Sequence, residues 1–200
     1  MEYANVLIDY LKEKYNSLEC VIEGNKNIKR YTKPSMSNYT ENAIALLINK
    51  IKKNQLNYLI DPQLSVDNKK IIRPDIIIYD KKNVIVGIIE VKSQLGYAGN
   101  FNKEDYNKKI KQLKKASDKN ILALKKQNMY FSISDNCKKF IVILMSSNNH
   151  NNLEKFKGTN YFVLFEKENN KNLWYDTLSL ESLNKKKHGY TDFAEFVKKM

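Results

Sequence analysis

The chain has 200 residues, of which 42% are hydrophobic, and its formal net charge is +13. This size and apolar content are sufficient for one sizeable core, so we expect a single domain over residues 1–200. The apolar runs are too short to cross a membrane, and the amino terminus lacks a secretion signal. We therefore expect a cytoplasmic protein with no membrane partner. Cys20 and Cys137 form no CxxC pair and are expected to be reduced thiols.

The positive charge favours a polyanionic partner such as nucleic acid, because Lys and Arg side chains neutralise phosphates. All but two of the 35 cationic residues are lysines, however, a bias that AT-rich coding sequence also produces. The local distribution of charge is therefore more informative than its total.

Hydrophobic periodicity predicts helices over residues 3–18, 38–53, 103–127 and 191–199. It predicts strands over residues 56–60, 63–66, 76–79, 84–91, 139–146, 161–166 and 173–177. Polar segments are predicted to form a loop at residues 24–37 and a helix entry at residues 148–152. This order predicts an α/β (α+β) fold that ends in a strand pair and a helix.

The strands at 76–79 and 84–91 form a predicted hairpin that carries two carboxylates and a lysine. If its turn is symmetric, Asp75 lies opposite Ile88 and is a diagonal neighbour of Glu90, about 7 Å away at the backbone. Glu90 and Lys92 share that face because side chains alternate along a strand. Two such carboxylates suit Mg²⁺. A one-residue slip, or a bulge at Gly87, would break this arrangement.

Acidic residues also stand two positions before a lysine at Asp67 and Asp80, but there the segments are polar and turn-like. Only Glu90-Val91-Lys92 lies within an apolar strand, where two charged side chains require an ion-pair partner or a functional role. The alternative interpretation is a strand end near the sheet edge, with Glu90 and Lys92 exposed and paired with each other.

Pro74-Asp75 and Glu90-Val91-Lys92 resemble the two core motifs of the PD-(D/E)xK nuclease superfamily, over about residues 38–146. The resemblance implies a restriction-endonuclease-like core with a central mixed sheet flanked by helices, and phosphodiester hydrolysis with Mg²⁺, for which Mn²⁺ can substitute. It also implies that Asp75, Glu90 and the backbone carbonyl of Val91 bind the cation. Lys92 would then hold or deprotonate the attacking water.

The family usually adds an acidic residue on an upstream helix, and Glu41 is the candidate catalytic and metal-binding residue here. Asn38-Tyr39-Thr40-Glu41 also fits a capping box, in which Glu41 would only stabilise the start of its helix. Both hypotheses remain open at this point.

Residues on and after the motif hairpin are candidates for DNA binding. Arg73 has the geometry to hold a phosphate bidentately or to form a strand-entry ion pair. The polar loop after Lys92 can contact bases or simply connect two elements. The lysines that follow can contact a nucleic-acid backbone or only form the solvent-exposed face of a helix. The candidates are Arg73, Ser93, Gln94, Tyr97, Asn100, Asn102, Lys103, Lys108, Lys109 and Lys111.

Other nuclease chemistries fit this sequence poorly. The chain has only two histidines, His150 and His188, which are too few and too isolated for a histidine-centred metal site. It contains no P-loop and no Gln-x-x-x-Tyr motif after Lys92.

We therefore expect an Mg²⁺-dependent, sequence-specific double-stranded DNA endonuclease, resembling a small type II restriction enzyme that leaves 5′-phosphate and 3′-hydroxyl ends. Cutting both strands with one centre per chain predicts a homodimer, and a cognate methyltransferase encoded nearby is a further partner that this hypothesis allows. The alternatives are a structure-directed nuclease such as a Holliday junction resolvase, an RNA endonuclease, or a non-catalytic nucleic-acid-binding module on the same fold.

Overall fold

A computed structural model describes residues 3–17, 28–30, 36–66, 70–95, 122–124, 129–146, 160–166 and 178–200. The helices within these residues are α1 (Ala4–Ser17), α2 (Met36–Ile51) and α3 (Tyr190–Lys198). The strands are β1 (Ile28–Arg30), β2 (Asn57–Ile60), β3 (Leu64–Val66), β4 (Lys70–Ile72), β5 (Ile76–Tyr79), β6 (Val84–Leu95), β7 (Leu122–Leu124), β8 (Met129–Ser146) and β9 (Asn160–Glu166).

The strands form one mixed sheet. Its order is β1-β2-β5-β6-β8-β7-β3-β4, and β9 pairs with β8 outside that path. β5 and β6 are antiparallel, whereas β6, β8 and β9 run parallel to one another. The protein is therefore α/β, and the predicted mixed sheet with flanking helices is confirmed.

The two faces of this sheet belong to two different hydrophobic clusters, because apolar side chains alternate along the strands. Ile89 and Val91 of β6 pack in the larger cluster, together with the buried stripes of α1 and α2. Ile88, one residue earlier, packs in the smaller cluster with Ile77 and Phe131. Glu90 and Lys92 lie on the same face of β6 as Ile88 and therefore face away from α1 and α2.

Both amino-terminal helices bury the apolar faces that their periodicity predicts. Leu7 and Leu11 of α1 and Ile44 and Leu47 of α2 are completely buried. The predicted helices over 3–18 and 191–199 agree with α1 and α3, and the strand predicted over 161–166 agrees with β9. No helix in the described parts of the chain is both long and apolar enough to cross a bilayer.

Two three-residue segments form strands where other structure was predicted, and two predicted strands are longer than expected, because β6 continues to Leu95 into the predicted loop and β8 begins at Met129. Residues 28–30, predicted to lie in a loop, form β1 and pair with β2 in parallel. Residues 122–124, predicted to lie in a helix, form β7 between β3 and the start of β8. Both corrections have the same cause, since a three-residue strand is fixed by its partners rather than by its own periodicity. The predicted helix entry at 148–152, the strand at 173–177 and the remainder of 103–127 lie outside the described residues.

Gly189 precedes α3 at a point where backbone atoms approach closely. A Cβ atom there would lie 2.7 Å from the carbonyl oxygen of Lys186 and would also clash with that of Asn184. Neither oxygen moves freely, because they accept the backbone N–H groups of Gly189 and Tyr190 respectively.

We expect Gly189→Ala to lower the free energy of unfolding by about 1–3 kcal/mol, the usual cost of overpacking. Urea denaturation measures this change, with Thr191→Ala on the exposed surface of α3 as the control. Equal stability of the two variants would contradict the close approach.

Cys137 is a free thiol that packs against the smaller cluster. Its burial raises the pKa of the thiol to about 11, although Lys139 and Lys138 act in the opposite direction. In a Cys20→Ser background, we expect the alkylation rate of Cys137 to keep rising with pH up to about pH 11, because the thiolate is the reactive form. A rate that levels off by about pH 9, near the ordinary thiol pKa, would contradict this prediction.

Candidate active site

The motif residues Asp75, Glu90 and Lys92 come together in the middle of the sheet. Asp75 stands directly before β5, and the other two lie in β6, which has β5 on one side and β8 on the other. Glu90 is only 9% exposed, and Lys92 is half-buried. The alternative interpretation placed an exposed pair at the sheet edge, and it is wrong because the pair lies inside the sheet and Glu90 is buried. It is right that the two side chains pair with each other.

The register of the hairpin places Asp75 opposite Glu90 rather than opposite Ile88. Ile76 pairs with Ile89, so one further step along both strands brings Asp75 level with Glu90. Tyr79 pairs with Ile85 instead of Val84, and a bulge follows before Ile78 pairs with Gly87. Each of these changes shifts the register of β6 against β5 by one residue in the same direction, so the total shift from the predicted register is two residues. The face predicted for the two carboxylates is therefore kept, while the residue predicted to oppose Asp75 is wrong.

Hydrogen bonds fix both carboxylates. The backbone N–H of Val91 donates to Asp75 Oδ2 at 2.7 Å, a charge-assisted bond that joins β6 to the start of β5. Lys92 Nζ donates to Glu90 Oε1 at 3.1 Å and forms an ion pair with it. The carboxylate of Asp75 thus lies beside the backbone of Val91, and the carboxylate of Glu90 lies beside an ammonium group.

The β8 residues next to Glu90 and Lys92 are apolar. Glu90 pairs with Ile141 and Lys92 with Ile143 in the parallel register, and both isoleucines are completely buried. Low-dielectric neighbours strengthen electrostatic interactions and make an unpaired charge costly. The ion pair is therefore held in a position where losing either partner has a large effect on the other.

Glu41 lies on α2, which packs with the larger cluster, whereas Glu90 faces the smaller one. Glu41 is half-buried, and its Oε2 atom is buried. The capping-box interpretation is wrong, because α2 begins at Met36 and Asn38 is therefore already inside the helix. Among the described residues, no three His, Cys, Asp or Glu side chains are grouped to hold a metal ion, so Glu41 does not complete such a group with Asp75 and Glu90.

Asp61 is an acidic residue near the site that the sequence motifs did not identify. It follows the last residue of β2, and its backbone N–H donates to the carbonyl oxygen of Asp75 at 2.7 Å. Its φ of 49° turns the chain at that point. The signal in the sequence was an acidic residue followed by Pro62 directly after an apolar strand, and the end of β2 lies beside the start of β5, where Asp75 stands.

The predicted DNA-binding residues are described only in part. Arg73 is exposed, and it forms no ion pair with any residue in the described ranges. Ser93 and Gln94 belong to β6, where Gln94 pairs with Met145, but their side chains lie outside the description. The remaining candidates, Tyr97, Asn100, Asn102, Lys103, Lys108, Lys109 and Lys111, lie outside the described residues.

Comparisons with known proteins identified no relative of this chain. No family model matches the chain, and neither a curated protein nor a solved structure is detectably similar to it. The motif and the geometry of Asp75, Glu90 and Lys92 are therefore the features that indicate a function.

The hydrogen bond from Val91 to Asp75 predicts different stabilities for two substitutions of Asp75. Asp75→Asn keeps a side-chain oxygen that can accept this bond, whereas Asp75→Ala leaves a buried N–H group without it. We expect the alanine variant to be about 1–3 kcal/mol less stable than the asparagine variant in urea denaturation. Equal stabilities would show that this bond does not stabilise the fold.

Proposed function

We propose that the protein is a divalent-metal-dependent endonuclease that cleaves double-stranded DNA at a specific sequence, in the manner of a small type II restriction enzyme. The observation that supports this most strongly is the position of Asp75 opposite Glu90, with the ammonium group of Lys92 at 3.1 Å from the Glu90 carboxylate. Two carboxylates can hold a divalent cation, and a lysine beside them can move a proton, which together suit metal-assisted phosphodiester hydrolysis.

The donor set fits Mg²⁺, and Mn²⁺ as its substitute. Mg²⁺ in proteins is commonly held by one or two carboxylates and keeps several water molecules, so Asp75, Glu90 and the backbone carbonyl of Val91 suffice without a third acidic side chain. A cation bound here would offset charge on the scissile phosphate and lower the pKa of bound water.

Lys92 supplies the proton chemistry in this proposal. Its ammonium group is half-buried and is held by Glu90, so it can orient a water molecule or exchange a proton with it at the Nζ atom. Asp75 has a second role besides binding the cation, since its bond to the Val91 N–H fixes the backbone of β6 at the site.

Charge and symmetry support the proposed substrate and assembly. A net charge of +13 favours a nucleic acid. A chain with one such centre would cut the two strands of a symmetric site as a homodimer. Hydrolysis with departure of the 3′ oxygen would leave 5′-phosphate and 3′-hydroxyl ends.

The direct test is incubation of the purified protein with long, unmethylated duplex DNA, with Mg²⁺ and with EDTA. We expect discrete fragments only with Mg²⁺ or Mn²⁺. Asp75→Asn, Glu90→Gln and Lys92→Ala should each lower the cleavage rate by at least about 10²-fold, because the first two remove a ligand of the cation and the third removes the proton-transfer group. The carboxylate variants should bind DNA in EDTA at least as tightly as the wild type, because they remove negative charge beside a phosphate.

The ion pair between Glu195 and Lys198 on α3 offers a matched control, since it joins the same two residue types at 2.9 Å on an exposed helix. Glu195→Gln and Lys198→Ala should cleave at the wild-type rate. Cleavage that survives all three substitutions at Asp75, Glu90 and Lys92 would contradict the site. A continuous smear would indicate a nonspecific nuclease, and intact DNA would direct the test to branched DNA and RNA.

One observation favours a second candidate, a non-catalytic nucleic-acid-binding module. The ion pair between Glu90 and Lys92 satisfies both charges without a ligand, as expected if these residues only stabilise the sheet. In that case no substrate is cut, and Asp75→Asn leaves nucleic-acid binding unchanged.

A further inference from the structure

The turn that joins β5 to β6 presents two lysines to solvent. Lys81 and Lys82 are both exposed, and neither forms an ion pair with another residue of the described ranges. The turn lies far from the candidate active site, because about 20 Å of extended strand separates Val84, the first residue of β6, from Glu90. These two charges are therefore not part of the cation site.

Asp80 fixes the shape of this turn. Its Oδ1 atom accepts the backbone N–H groups of Lys82 at 2.8 Å and of Val84 at 2.9 Å. Its carbonyl oxygen accepts the N–H of Asn83 at 3.1 Å, and Asn83 has a φ of 60°. Aspartate and asparagine are typical of tight turns for these reasons. The carboxylate of Asp80 is thus engaged by the backbone, and the lysines extend from a fixed loop.

An exposed aromatic ring lies beside this turn. Tyr130 of β8 is 57% exposed, more than any other large hydrophobic side chain in the described residues. The N–H of Ser132 donates to the carbonyl oxygen of Asn83 at 3.3 Å, which attaches β8 to the turn. Tyr130, Lys81 and Lys82 are each within two residues of this bond, a chain length of at most about 7 Å. The three side chains therefore form one surface, the hairpin-end patch.

The ring of Tyr130 is part of neither hydrophobic cluster. Phe131 and Ile133 pack in or against the smaller cluster, and Tyr130 faces away from it because side chains alternate along a strand. Aromatic rings on a protein surface are enriched where a partner binds, since one end is apolar and the other can form hydrogen bonds. The ring thus offers a partner a flat apolar face next to two positive charges.

We propose that the hairpin-end patch of Lys81, Lys82 and Tyr130 binds a single-stranded stretch of DNA. Bases of an unpaired strand stack on aromatic rings while lysines neutralise the neighbouring phosphates, and this combination is typical of surfaces that bind single strands. In a duplex the base faces are covered by stacking, so an exposed ring favours an unpaired strand. The choice of DNA over RNA rests on the proposed function, whereas the patch itself is separate from the candidate active site.

The test is fluorescence anisotropy of the full chain with a labelled oligothymidylate of about 15 nucleotides in EDTA, over about 50–200 mM NaCl. Tyr130→Ala should weaken binding at least about fivefold, the lower end of the effect of losing one base stack. Tyr130→Phe keeps the ring and should bind like the wild type. Lys81→Ala/Lys82→Ala should reduce the slope of log K against log salt by about 0.7 for each lost phosphate contact.

Two matched controls lie outside the patch. Leu180→Ala removes another exposed apolar side chain, which is 36% exposed. Lys185→Ala/Lys187→Ala removes two lysines from exposed positions before α3. Both controls should stay close to the wild type in affinity and in salt slope. Equal effects of the patch and control variants would overturn the proposal, as would a wild-type chain that does not bind oligothymidylate or a Tyr130→Phe variant as weak as Tyr130→Ala.

The same variants identify the ligand. Tyr130→Ala should leave the affinity for a duplex of the same length close to that of the wild type, and an equal loss for both DNAs would overturn the assignment to an unpaired strand. Tighter binding of oligouridylate than of oligothymidylate would overturn the assignment to DNA. A dimer in sedimentation velocity that Tyr130→Ala dissociates would assign the patch to a second copy of the chain instead.

Cleavage assays of the same proteins separate this inference from the proposed function. Mg²⁺-dependent cleavage by the wild type, together with equal oligothymidylate affinities of Tyr130→Ala and the wild type, would remove the patch and leave the nuclease intact. Selective losses in the patch variants, without cleavage of any DNA, would support the patch and contradict the nuclease.

Discussion

The pairing of β5 with β6 is the constraint on which the candidate site depends. Apolar side chains of these strands are buried on both faces of the sheet, so a slip of one residue would carry every isoleucine of the hairpin to the wrong cluster. The same register brings Asp75 level with Glu90. The carboxylates are therefore positioned by the packing of the core, and their placement needs no ligand.

A central strand is an unfavourable place for charge unless the charge is compensated. Glu90 is almost completely buried, and it lies beside Lys92 on one strand and beside the apolar Ile141 on the next. A well-packed pair of apolar residues would stabilise such a position as well or better. Two charges in this position are the physical basis of the nuclease proposal.

The hairpin could be predicted from the sequence because its strands are continuous, β-branched runs on either side of a polar turn. The face shared by Asp75 and Glu90 was also predicted, although the residue opposite Asp75 was not. A bulge beside Gly87 and a shift at Tyr79 are set by contacts between strands, which hydrophobic periodicity does not reveal. For the same reason β1 and β7 were assigned to a loop and to a helix. Asp61 was missed because no motif includes it, and only the pairing of β2 with β5 brings it next to Asp75.

A metal-binding measurement tests the proposal that Asp75 and Glu90 together hold one divalent cation, without any assumption about the substrate. We would titrate Mn²⁺ into the full chain and follow free Mn²⁺ by electron paramagnetic resonance, beside Asp75→Asn, Glu90→Gln and the control Glu195→Gln. We expect one Mn²⁺ site per chain in the wild type and in the control, and the loss of this site in Asp75→Asn and Glu90→Gln. Equal Mn²⁺ binding by all four proteins would contradict it.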